Sequence, residues 1–143
     1  METTTVRLTK VLKSGKDINT ILQENTFYAP TLQEHLEKLL SSKGLKRQDV
    51  IKCAELDGNY INQLFNGNKT NPGRDHTLSL AFGFGLNKDE ADRLLKIAGA
   101  GALYTKNKRD AVLIHALENG KSVVEANEVL TSLGLRTLSS HEK

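Results

Sequence analysis

The sequence predicts an all-α protein, and three observations carry that expectation. Apolar residues recur at spacings of three and four through most of the chain, the period of one helix face. Helix starts and stops are dense: Thr, Asn or Ser followed three positions later by Glu, and glycine at the far ends. Strand signals are nearly absent, with no long alternating β-branched run and no Asn-Gly turn between two such runs.

Residues 5–14 place Val6, Leu8, Val11 and Leu12 on one face, with Gly15 as the stop. Asp17 is a good N-cap for a second short helix carrying Ile18, Ile21 and Leu22. Residues 25–30 connect it to a helix over 31–42. There Thr31 and Glu34 have capping-box spacing, and Leu32, Leu36, Leu39 and Leu40 form an apolar stripe ended by Gly44. Residues 45–67 read as two short helices around a tight turn, followed by a polar loop over 68–73. Asp75 is expected to cap the next helix, which carries Leu78, Leu80, Ala81 and Phe84 up to Gly85. Asn87 and Glu90 open another, with Ala91, Leu94, Leu95 and Ala98 inward and Gly99 and Gly101 beyond its end. Residues 108–118 carry Val112, Leu113, Ala116 and Leu117 and stop at Gly120. Ser122 and Glu125 open a last helix with Val123, Ala126, Leu130 and Leu133 inward, and the polar tail 135–143 is expected to fray.

At 143 residues the chain is long enough to bury a real core. The expected organisation is an N-terminal helical arm (1–30), a central unit (31–98) and a C-terminal helical extension packed on it (99–143). The lone Cys53 excludes an intrachain disulfide and suits a reducing compartment. No apolar run approaches membrane-spanning length and the N-terminus lacks an apolar signal region, so a cytoplasmic protein without membrane contact is expected. The formal net charge is only +3. Its distribution is uneven: residues 38–74 hold seven basic and three acidic side chains, a net of +4, which leaves −1 for the rest.

Within 45–67, Leu45, Val50, Ala54, Leu56, Ile61 and Leu64 are the apolar positions a helix pair must bury in its elbow. The intervening residues are polar. This is the arrangement of a DNA-binding helix-turn-helix, whose first helix crosses the phosphate backbone while the second lies in the major groove. Asn59, Asn62 and Gln63 are the candidates for base contacts, because an amide can bond adenine bidentately. Lys46, Arg47, Lys69 and Arg74 are the candidates for phosphate contacts, with Gly58 letting the second helix approach the backbone and Tyr60 beside it. Arg74 could instead pair with Asp75 or cap a carbonyl.

The five helices expected over 31–98 resemble the Cro/CI-type, or XRE-like, helix-turn-helix family of phage repressors. The resemblance rests on Leu45, Val50, Ala54, Leu56, Ile61 and Leu64, extended by Gly67, Pro72 and the Leu78/Leu80/Ala81 helix. The strings YINQLF, PGRD, LLKIAGAGALY, KRDAVL and ALENG are similar to a bacterial regulator subgroup with extra C-terminal helices. The resemblance implies a five-helix repressor-like core and a transcription regulator that binds double-stranded DNA as a dimer. Departures are visible. Glu55 stands where the family turn usually has glycine, and Ile51 where a small alanine is usual. The second helix has no basic residue and is preceded by Glu55 and Asp57.

That acidic start motivates an alternative reading, a degenerate helix-turn-helix serving as a protein-interaction or signalling module, controlled by phosphorylation at Thr3, Thr4 or Thr5. The helices over 108–133, with the N-terminal arm as a further contributor, are the expected homodimer or partner surface. Cys53 is expected to be a small buried apolar residue rather than a redox sensor. His35, His76, His115 and His141 show no ligand spacing, so no metal is expected. Gly99 and Gly101 lack both a third glycine and a preceding strand, so no dinucleotide cofactor is expected either. Nothing assembles a nucleophile, a base and an orienting group, and an enzyme is not expected.

Overall fold

The computed structural model describes residues 4–24 and 30–138, and among them it is all-helical. The elements are α1 (Thr4–Lys13), α2 (Ile18–Glu24), α3 (Leu32–Lys43), α4 (Arg47–Ala54), α5 (Gly58–Phe65), α6 (Arg74–Phe84), α7 (Lys88–Ile97), α8 (Lys108–Glu118) and α9 (Val123–Ser132). Local chemistry explains most of their ends. Thr31, Asn87 and Ser122 each accept the backbone N–H three residues on, from Glu34, Glu90 and Glu125, whose side chains in turn accept the capping residue's N–H. At Asp17, likewise, the carboxylate accepts the Thr20 N–H. One expected cap is corrected: the N-cap of α6 is Gly73, not Asp75. Asp75 lies inside the first turn, and its carboxylate serves an ion pair described below.

The fold is organised around α6. Every residue from Thr77 to Phe84 is buried, because α3, α4, α7 and α9 all pack against this helix. Gly83 permits the closest of these approaches. A Cβ there would meet the Val50 carbonyl oxygen and the Ala54 Cβ, each at 3.0 Å, so α4 lies directly against a helix backbone. The C-terminal pair α8 and α9 packs on α7 and α6, and Leu113, Leu117, Val123 and Leu130 belong to one continuous core with Leu36, Ile61 and Leu94.

The N-terminal arm is different. Helices α1 and α2 pack on one another, and Ile21 is buried outside the main core. Leu12, Ile18 and Leu22, expected inward, are about half exposed, as is Leu133 beyond α9. Their periodicity is genuine, but no element among the described residues covers those faces. The expected fraying of 135–143 is also corrected for its first part. Leu138 is 3% exposed, and Asn127 clasps its backbone by donating Nδ2–H to the carbonyl and accepting the N–H. Residues 139–143, including His141, lie outside the described residues, as does Thr3. No helix among the described residues is long and apolar enough to cross a membrane.

Candidate nucleic-acid interface

Three residues, 55–57, join α4 to α5. Lys46 enters α4 in an extended conformation, and its N–H donates to Asp49 Oδ2 at 2.9 Å. The helix ends on Glu55 with φ 58 and ψ 35, the only positive-φ non-glycine residue among the described residues. A side chain in that region carries about 1–2 kcal/mol of steric cost, so glycine's absence here leaves strain in the turn. Asp57 then caps α5 by accepting the Tyr60 N–H. Val50, Ala54, Leu56, Ile61 and Leu64 are buried between the two helices and the core, and Leu45 is half-buried at the entry. Ile51 lies over Gly58, whose missing Cβ would sit 3.5 Å from Ile51 Cγ2. Gly58 thus leaves room for the Ile51 side chain.

The outer face of α5 is uncharged. Asn59 and Gln63 are exposed one turn apart, and Asn62 is half-buried beside Gln63. Their amides engage no other side chain among the described residues, so all three are available to an external partner. Tyr60, on the neighbouring face, is half-buried and edge-on to His76, with ring centroids 4.8 Å apart. Burial pushes its phenol pKa up.

The candidate phosphate residues divide into two groups. Lys46 and Lys69 are exposed, and the Lys69 ammonium hovers 5.8 Å from the Tyr60 ring centre. The two arginines are engaged within the fold. Arg47 stacks over Phe65 and donates to Glu37 on α3 and to Asn66 at the end of α5, tying together the helices that flank it. Arg74, expected to reach a phosphate, instead faces α8. Its Nη1 and Nη2 bond both oxygens of Asp110 at 3.0 and 2.7 Å, and it also donates to the carbonyls of Gly101 and Ala102. Asp110 is 5% exposed. Burial would raise its pKa, but Arg74 and the Tyr104 N–H outweigh that and hold the carboxyl below its ordinary value.

A second fork lies beside the first. Arg109 grips both oxygens of Asp75 at 3.0 Å and donates to the carbonyls of Arg136 and Thr137. The start of α6 is thereby bolted to α8 and to the C-terminal segment. Sequence reasoning missed Asp110, Arg109 and Arg136. Their long-range partners lie 27 to 61 positions away, and no local pattern marks such pairs. Between α5, the 68–73 loop and this segment opens a cleft of about 680 Å³, lined in part by Tyr60, Lys69, Asn71, His76 and Arg136.

Elsewhere, Cys53 is exposed, against the expectation that it would be buried. It falls on the outer side of α4. His35 is 6% exposed with Nε2 unpartnered, and burial together with Lys38 and Arg93 pushes its pKa down. No group of three or more metal-ligating side chains occurs among the described residues. No protein-family model matches the chain, and no curated protein or solved structure matches it.

Proposed function

We propose that the chain is a sequence-specific, double-stranded DNA-binding transcriptional regulator, with α4 and α5 acting as its helix-turn-helix. The observation that supports this best is the outer face of α5. It presents Asn59, Asn62 and Gln63 on a helix whose opposite face, Ile61, Leu64 and Phe65, is buried in the core. A rigid helix with outward amides suits adenine readout in a major groove. Lys46 and Lys69 stand exposed at either end of the helix pair and suit backbone docking, which supplies affinity without reading sequence. Arg47 and Arg74 contribute mainly by holding the frame.

One such module covers few base pairs, so the protein acts as a homodimer on paired half-sites. The exposed Val129 of α9, Leu133 just beyond it and the apolar groove of about 500 Å³ between α8 and α9 support that face as the contact. The same apolar groove, with the acidic approach to α5, favours the second reading of a protein-interaction module.

Paired substitution Asn59→Ala with Gln63→Ala tests the assignment on a site selected from random duplexes. Discrimination between the selected site and scrambled DNA should fall by tenfold or more, at about 1–3 kcal/mol per bidentate contact, with the thermal transition preserved. Unchanged discrimination in a gel-shift titration rejects α5 as the reading element.

A further inference from the structure

The cleft beside α5 is built by residues far apart in sequence. Its walls come from α5 (Tyr60), the following loop (Lys69, Asn71), the first turn of α6 (Asp75, His76) and the C-terminal segment (Arg136). That segment is fixed. Asn127 clasps Leu138, and Arg109 holds the carbonyls of Arg136 and Thr137. The Arg136 side chain nevertheless stays 67% exposed, with only a long 3.5 Å approach to Asp75.

The charges of the cleft are unequal. Its one carboxylate, Asp75, has both oxygens bound by Arg109 from outside the cleft, so it repels an incoming anion weakly. Lys69 has no carboxylate partner among the described residues, only the Tyr60 ring. His76 lies in the same wall with Nε2 buried and without a hydrogen bond. Two available cations and an exposed amide at Asn71 border a space of about 680 Å³. The complementary group is a phosphate, whose oxygens accept from a guanidinium fork, an ammonium and an amide together.

We infer that the C-terminal segment completes a phosphate-binding cleft, with Arg136 and Lys69 as its cationic arms, and that the phosphate it takes is one of the DNA backbone. The inference rests on the DNA-binding reading for the source of the phosphate, though not for the cleft itself. It gives the C-terminal extension a share in the nucleic-acid surface, beyond any part in dimerisation. Arg136 can turn from Asp75 to a phosphate at small cost, since its own side chain is exposed, its approach to Asp75 is long, and Arg109 keeps both Asp75 oxygens bonded.

The test uses the full chain, wild type and Arg136→Gln, with two probes: inorganic phosphate followed by amide chemical shifts, and a generic 20-base-pair duplex titrated at several salt concentrations. Arg109 still holds Asp75 in the variant, so its thermal transition should match wild type. Phosphate should shift the amides of 69–71, 73–76 and 136 in wild type and much less in the variant. For the duplex, log K against log salt should flatten by about 0.9 per protomer, equivalent to roughly eightfold weaker binding at 0.1 M salt. Lys69→Gln should reproduce the change. Absent phosphate shifts with an unchanged salt slope overturn the cleft while leaving DNA binding intact. Phosphate shifts in a protein that binds no duplex retain the cleft and overturn the DNA source. Phosphate shifts with duplex binding of unchanged slope likewise assign the cleft to free phosphate and overturn the backbone contact.

Discussion

Removal of the Asp110 carboxylate should be among the most damaging single changes outside the apolar core. In the fold it accepts two bonds from Arg74 and the Tyr104 N–H, at 2.7 to 3.0 Å, while its side chain is 7% exposed. Stranding one partner of a buried pair costs about 3–5 kcal/mol. The Arg74 side chain is 30% exposed and keeps two carbonyl acceptors, so its stranded charge regains water and the loss is reduced. Asp110→Ala should therefore cost about 2–3 kcal/mol, or roughly 6–12 °C in the thermal midpoint. Asp110→Asn, which keeps one acceptor, should cost about half as much. The double variant Arg74→Ala with Asp110→Ala should be less destabilised than the sum of its parts.

The effect also has a pH signature. The folded Asp110 pKa is lowered, so its contribution is complete above the unfolded carboxyl pKa, about 3.9, and is lost as pH falls through the folded value. The gap between wild type and Asp110→Asn, measured by urea unfolding, should be constant from about pH 7 to 5 and shrink below 4. A loss under about 1 kcal/mol at pH 7 would refute the reasoning, since that is the range of an exposed pair.

Two backbone predictions can be read in the same denaturation experiment. Glu55→Gly should stabilise by about 0.5–1 kcal/mol, because relief of the left-handed conformation outweighs glycine's extra freedom in the unfolded chain; a loss would show that Glu55 is not strained. Gly83→Ala should cost about 1–2 kcal/mol despite alanine's better helix propensity, since its Cβ meets Val50 O and Ala54 Cβ at 3.0 Å; a gain would show that α4 can yield.

The parts of the fold legible in sequence are those encoded within one or two helical turns. Thr31/Glu34, Asn87/Glu90 and Ser122/Glu125 announce their helices because cap and partner are three residues apart. Gly44, Gly85 and Gly120 mark ends because each takes a positive φ. What escaped notice is long-range. Asp75 looks like a cap in isolation, yet its carboxylate faces Arg109, 34 positions on. Arg74 looks like a surface cation, yet Asp110 lies 36 positions on and turns it inward. The tail looks free to fray because nothing in 135–138 signals that Asn127 will hold it. For the candidate interface, the identity of α5 and its amides was legible, whereas the cleft beside it depends on which distant segments meet. The arm misled in the other direction. Leu12, Ile18 and Leu22 keep helical spacing, but spacing cannot reveal that their side chains stay about half exposed.

The proposed function turns most directly on the binding of wild-type protein to generic duplex DNA across a salt series starting near 50 mM. Non-specific affinity is phosphate electrostatics, and Lys46, Lys69 and Arg136 supply the exposed cations around α5. Measurable binding whose log–log salt slope is about −2.7 per protomer is the predicted result. No binding at the lowest salt would contradict it and leave α4 and α5 as a scaffold for contacts with protein.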